Sequence, residues 1–545
     1  MLDKRLLLLI PVALYVCTGA MVGRGDDWPR WGGRNDCNML STETDLPTSF
    51  ERGTRRSDGS GIDSTTAENV KWTARLGSIT YGTPAVADGR VYVGTNDFRL
   101  GDPRLTATRG GVLKCFDEHT GKLQWQLVMP RKPIDKREFA FDHMHLGVCS
   151  TATVQEDHVY LVTSRCEVVC LDARGQTDGN EGPFTEEGRY IAGAGQPPVE
   201  VQPTDGDIVW LFDMWEDPRV ATRPTDAANS SVLIVGDYLY VCTSNGVDQW
   251  PSDTKPLVVP APLAPSLIVL NKKTGRLVAV DDETIGTRML HGMWSSPSAG
   301  QVDDRTLVFF GGGDGWCYAF EALDEEPNEL AKLKRVWSFD CNPPHYRVYE
   351  NGKLLDYRCG DKRNPMSRNE NDGTFVGQSE IVATPVFQNN RVYVAIGRDP
   401  HHGRGRGNLV CIDATQTGDI TETGEIWSYD DIERTVSTVA IDDGLLYIAD
   451  LPGRIHCLEA DTGQCRWVHE TKSETWGSTL LADGKIYLGT ERALVVLAAG
   501  NEPQLLSAVR LGARMDTSPV VANGVLFVAS HRYLWAVHNT AGLPR

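Results

Sequence analysis

Two short apolar runs separated by a polar pair recur along the chain. The first copy is PAVADGRVYVGT, residues 84–95. Relatives begin at 152 (ATVQEDHVYLVT), 232 (VLIVGDYLYVCT), 385 (PVFQNNRVYVAI), 439 (VAIDDGLLYIAD), 479 (TLLADGKIYLGT) and 519 (PVVANGVLFVAS), and a looser copy starts at Pro297, which makes eight. The central pairs include Asp88-Gly89, Asp443-Gly444, Asp483-Gly484 and Asn523-Gly524. Asn, Asp and Gly tolerate the positive φ of a tight β-turn, so each copy predicts a hairpin of two strands, A and B.

A third apolar run, strand C, follows most copies: VLKCFD at 112, VVCLD at 168, LIVLN at 267, CYAFE at 317, LVCID at 409 and IHCLE at 455. A turn such as EHTGK, KKTGR or DTGQ then leads to strand D, which usually carries a tryptophan: Trp125, Trp210, Trp337, Trp427 or Trp467. Four antiparallel strands repeated eight times predict an all-β fold, an eight-bladed β-propeller. The last copy ends at YLWAVHN without a D strand, while NVKWTARLG (69–77) stands alone before the first, with Trp72 in the D place. This N-terminal strand is expected to complete blade 8 and close the ring, which protects its edges. The division expected is residues 1–20 as a leader, 21–68 as an extension and polar linker, and 69–545 as one propeller domain.

Composition narrows the function classes. Over 545 residues the formal charge is −19. Nucleic-acid binding needs lysine and arginine in excess to displace counterions, so that class is excluded. Lys4 and Arg5 precede an apolar run, Leu6 to Val16, followed by small residues up to Ala20. This pattern predicts a secretory signal cleaved near Ala20 and an exported, periplasmic or extracellular protein, soluble after cleavage. Cys17 offers a lipoprotein alternative. No later run is long and apolar enough to be a transmembrane segment. Cys115, Cys170, Cys411 and Cys457 share one C-strand position in different blades, where blade 4 has Ala319. They read as small buried apolar residues, not as one metal site. Cys341 and Cys359 bracket an insertion and offer a disulfide that would staple it.

The repeats DEHTGKLQW, NKKTGRLV and EADTGQCRW resemble those of pyrroloquinoline-quinone (PQQ) propellers. WPRWGG (28), HGMWSSPSAG (291), FFGGGDGWCYAFEA (309), VWSFDCNPP (336) and IGRDPHHGRGRGNLVCID (396) are similar to a group of secreted bacterial PQQ-like propellers. More distant resemblances are to quinoprotein alcohol dehydrogenases and to the propeller lipoprotein of outer-membrane protein assembly. The dehydrogenase resemblance implies a quinone beside a vicinal disulfide, a calcium ion and a catalytic aspartate. The chain has no adjacent cysteines, and no calcium ligand set matches residue by residue. The assembly-protein resemblance implies a non-enzymatic scaffold.

In such a ring the D-to-A and B-to-C connections share one face, and most long insertions lie there. Residues 97–110, 130–146, 341–373 and 398–407 hold 16 basic against 11 acidic side chains. This face is expected to bind, and its charge points to an anionic or carbohydrate-like ligand or an acidic partner. His143 and His145, and His401 and His402, lie in these connections and are candidate metal ligands. Every A strand carries Ser or Thr at one position: Thr83, Thr151, Ser231, Ser296, Thr384, Thr438, Ser478 and Ser518. Small residues suit the convergence of eight strands. Two residues earlier come Tyr81, Cys149, Asn229, Trp294, Val382, Val436, Trp476 and Asp516. Trp294 and Trp476 are candidates to flank a planar cofactor, with Asn229 and Asp516 as polar anchors. The expected function is a scaffold that binds a protein, glycan or small-molecule ligand; the alternative is an atypical PQQ-dependent oxidoreductase of alcohols or sugars, with calcium.

Overall fold

The computed structural model describes residues 25–58, 61–134, 141–248, 258–347, 377–399 and 404–539. Eight small antiparallel sheets form the eight blades of a β-propeller. Blade 1 runs A to D as Ala85–Ala87, Arg90–Asn96, Gly111–Asp117 and Leu123–Met129. Blade 8 takes A to C from Val520–Ala522, Val525–Ala529 and Tyr533–Val537, and its D strand is Val70–Arg75. Trp72 sits opposite Ala536, so the N-terminal strand closes the ring as its isolated repeat predicts. Both residues of the central pair have positive φ at Asp88-Gly89, Asn389-Asn390, Asp443-Gly444, Asp483-Gly484 and Asn523-Gly524, which is the tight hairpin geometry.

The repeat residues form the joint between blades. Cys115, Cys170, Cys411 and Cys457 each face the D-strand tryptophan of their own blade, Trp125, Trp210, Trp427 and Trp467. Each tryptophan reaches into the next blade. Trp125 Nε1 donates to the Ala173 carbonyl at 2.9 Å, Trp427 to Ala460 at 3.0 Å and Trp467 to Gly500 at 2.9 Å. The glycine of the next blade's T-G turn lies under the indole. A Cβ on Gly463, at φ +71°, would come 2.5 Å from the Trp427 ring. The motif therefore encodes a tryptophan of one blade docked on a glycine of its neighbour. Burial holds the four thiols well above their ordinary range, so they behave as the small apolar residues expected.

The N-terminal segment winds once around the axis. Asp26 and Asp27 hold Asn523 of blade 8. Trp28 pairs with Val86 of blade 1, and Pro29 accepts from Val154 of blade 2. Asn35 bonds Ile234 of blade 3 and Ala299 of blade 4, and Asp36 accepts from Phe387 of blade 5. Asn38 makes two bonds to Ile441 of blade 6, and Leu40–Ser41 adds a parallel strand inside Leu480–Ala482 of blade 7. Every blade is touched at its A strand or the turn after it. This strap covers the channel at the A–B end, and Cys37 and Met39 within it are fully buried.

His401, His402 and Cys359 lie outside the described residues; no disulfide joins two described residues. Among the described residues no helix is long and apolar enough to cross a membrane.

Candidate functional site

The Ser/Thr position of the A strands forms a belt around the axis. Thr151 N donates to Ser231 Oγ at 3.0 Å, Ser231 N to Ser296 Oγ at 2.9 Å and Thr384 N to Thr438 Oγ1 at 3.3 Å. Thr438 N donates to Ser478, Ser478 N to Ser518 and Ser518 N to Thr83, at 2.8–3.1 Å. Small size alone does not account for these residues. Six of the eight hydroxyls, those of Thr83, Ser231, Ser296, Thr438, Ser478 and Ser518, accept the backbone N–H of the preceding blade, which would otherwise be buried without a partner.

Above the belt lies a cavity of about 180 Å³ on the axis, open toward the D–A and B–C connections. The strap supplies its floor: Trp31 lines it and donates Nε1 to Thr384 Oγ1 at 2.9 Å. Tyr81, Trp294 and Trp476 are in its aromatic wall, and Asn229, Asp226, Asp399 and Asp516 bring polar groups to it. The four residues singled out as cofactor anchors, Trp294, Trp476, Asn229 and Asp516, thus share one cavity. Asn229 Oδ1 is buried there with no hydrogen-bond partner among the described residues.

Asp516 is held on both oxygens. Arg514 Nε donates to Oδ1 at 2.6 Å and His531 Nε2 lies 2.6 Å from Oδ2. Arg514 also stacks 4.6 Å over Trp476 and pairs with Glu491. Tyr81 contacts both Trp476 and His531 by its ring, and burial, then the Asp516 charge, drives its hydroxyl pKa far up. On the opposite wall His291 packs edge-on against Trp294 at 5.3 Å. Burial first, then Arg398, pushes the His291 pKa down to about 3, so its imidazole is neutral near pH 7.

The structure separates the paired histidine candidates. His143 Nδ1 lies 3.1 Å from Asp226 Oδ1, whereas His145 Nε2 lies 3.2 Å from Arg109 Nη1. The basic face also reads differently in three dimensions. Arg104 is clamped by Asp102 and Asp205, Arg131 stands beside Asp142, Arg404 pairs with Glu433, and Arg398 is fully buried. These four arginines are thus paired or buried, and among the described residues three carboxylates but no lysine or arginine line the cavity. Sequence reasoning did not single out Trp31, Asp226 or Asp399. Trp31 stands in WPRWGG, quoted only for resemblance; Asp226 and Asp399 are single carboxylates in unrelated loops.

Comparison with known proteins agrees with the blade architecture. The family model described as "Outer membrane protein assembly factor BamB" matches residues 61–284, 355–469 and 421–501, most of the chain. The chain belongs to this family. No curated protein matches it. Among solved structures, a europium-containing methanol dehydrogenase is similar at 11% identity and TM-score 0.54, covering 93% of this chain and 89% of that one. BamB from Moraxella catarrhalis is 14% identical with TM-score 0.48, covering 87% and 99%. At these identities the likeness is one of fold. BamB-like and quinoprotein propellers share the ring, so the site must decide between binding and redox chemistry.

The quinone of the dehydrogenases is a planar tricarboxylate. The cavity offers it aromatic walls, but among the described residues three carboxylates, Asp226, Asp399 and Asp516, and no lysine or arginine line it, and the Arg514 beside it is already engaged by Asp516 and Glu491. The described lining residues do not fit this cofactor.

Proposed function

We propose that this protein is an exported binding scaffold whose axial cavity takes a small, non-anionic, ring-bearing ligand rich in hydrogen-bond donors, a monosaccharide unit being the simplest case. The observation that carries this reading is the convergence of Trp31, Tyr81, Trp294 and Trp476 with acceptor groups of Asn229, Asp226, Asp399 and Asp516 on one cavity. Aromatic faces cover the apolar side of a ring, and a few placed acceptors orient its hydroxyls, the usual division of labour in a small-ligand site. Family membership supports binding as the shared role, with residues 69–545 as the propeller and 1–20 as the leader that directs export. The oxidoreductase alternative lacks support from the cavity's charge.

The test is titration of the protein with glucose, galactose, xylose and glucuronate, followed by tryptophan fluorescence. A saturable change with a neutral sugar, lost in Trp294→Ala and weakened in Asp516→Asn, is expected. Absence of any saturable change, or an undiminished change in Trp294→Ala, overturns the reading.

A further inference from the structure

Three loops from different blades bring metal-ligating side chains together in the cavity wall. Asp226 comes from the connection between blades 2 and 3, His291 from that between blades 3 and 4, and Asp399 from the B–C connection of blade 5. One donor atom of each lies within 4.8 Å of the other two. All three are buried, at 4%, 0% and 5% exposure. Donors bonded to one first-row cation at ~2.1 Å stand no more than about 4.2 Å apart. Side-chain rotations of some tenths of an ångström would close the set.

The surroundings are those of a built site. Glu380, fully buried, has Oε1 3.9 Å from His291 Nδ1, and the same oxygen accepts from Asp399 N at 3.4 Å. Its Oε2 is buried without a hydrogen-bond partner among the described residues. At 3.9 Å this carboxylate stands just outside hydrogen-bond reach of the imidazole, in the place of the outer-layer partner that orients a metal-ligating histidine. Arg398 and Arg434 are buried beside Glu380 and balance its charge. On the outer side His143 reaches Asp226 at 3.1 Å.

We propose that Asp226, His291 and Asp399 form a divalent transition-metal site whose open positions face the axial cavity. Asp226 and Asp399 line the cavity and His291 stands behind them, so further ligand positions point to the cavity space. Three protein ligands with an open position is the arrangement of sites that bind an exchangeable ligand through the metal. One imidazole among carboxylates selects manganese, iron, cobalt or zinc over calcium, whose sites are built from oxygen alone. The site stands whether or not the cavity's ligand is a sugar.

Untagged full-length protein, stripped with chelator and dialysed, is titrated with Co²⁺ and Mn²⁺. The expected result is one equivalent bound, with nitrogen modulation in the pulsed electron paramagnetic resonance of the Mn²⁺ form and no displacement by excess Ca²⁺. His291→Gln and the double variant Asp226→Asn/Asp399→Asn are expected to lose affinity at least about tenfold, and Glu380→Gln about tenfold. His119→Gln, on the far face, serves as the control and keeps full affinity. Folding of each variant is checked by circular dichroism. Failure of the wild-type protein to bind one equivalent overturns the proposal, as does bound Mn²⁺ without nitrogen modulation. Equal affinity in folded wild type and the double variant overturns it too.

Discussion

Trp31 donates its indole N–H to the hydroxyl of Thr384 at 2.9 Å, joining residues 353 positions apart. One is in the strap, the other in the belt of blade 5. Through this bond the strap that touches all eight blades becomes the floor of the cavity. Met39, fully buried in the strap, anchors it between blades 6 and 7. Met39→Ala is expected to cost about 2–5 kcal/mol in denaturant unfolding. An unchanged midpoint would show that the strap does not dock.

The belt predicts a polar cost at a small residue. Ser231→Ala removes the acceptor of the buried Thr151 N–H. The expected loss is about 1–3 kcal/mol, with Ser231→Thr largely restoring stability. If packing alone selected these positions, alanine would be tolerated better than threonine.

Two glycines separate backbone strain from tryptophan docking. Gly444 and Gly463 have φ of +75° and +71°, but an added Cβ meets nothing at Gly444 and the Trp427 ring at Gly463. Gly444→Ala is expected to cost about 1–2 kcal/mol from the left-handed conformation. Gly463→Ala should cost about 1–3 kcal/mol more through overpacking. Equal thermal shifts in the two variants would contradict the docking role.

Asp207 gives a pH signature. Burial, with Glu187, Asp172 and Glu181 nearby, raises its pKa to about 7 from an ordinary 3.8. The folded state therefore holds this proton more tightly than the unfolded one. The contribution is full below about pH 4 and is lost as pH rises through about 7. Thermal midpoints of Asp207→Asn and the wild type should diverge in favour of the variant from pH 4 to 8. A constant difference would place the titration elsewhere.

The ring was legible because its repeat is local. Turn pairs, C-strand cysteines and D-strand tryptophans recur at matching offsets, and the lone strand around Trp72 declares its own partner. The position two residues before each belt Ser or Thr also gathers Trp294, Trp476, Asn229 and Asp516 at one cavity, since equivalent positions in a ring converge. The strap was not legible, because Trp31 and Met39 follow no repeat and find their partners hundreds of residues away. Asp226 and Asp399 escaped for a similar reason: each comes from a loop with its own length and course, so no spacing signals their meeting. Counting charges along a loop also did not show which arginines are paired, as Arg104 is with Asp102 and Asp205 and Arg404 with Glu433.

We propose that this chain uses the axial cavity of its eight-bladed ring for a non-anionic ligand and not for a quinone. The most direct measurement is gel filtration after incubation with PQQ, with and without Ca²⁺, followed by absorbance and dye-linked oxidation of alcohols and sugars. No quinone absorbance should travel with the protein under either condition. Stoichiometric quinone in the protein peak, with dye reduction, would contradict the account.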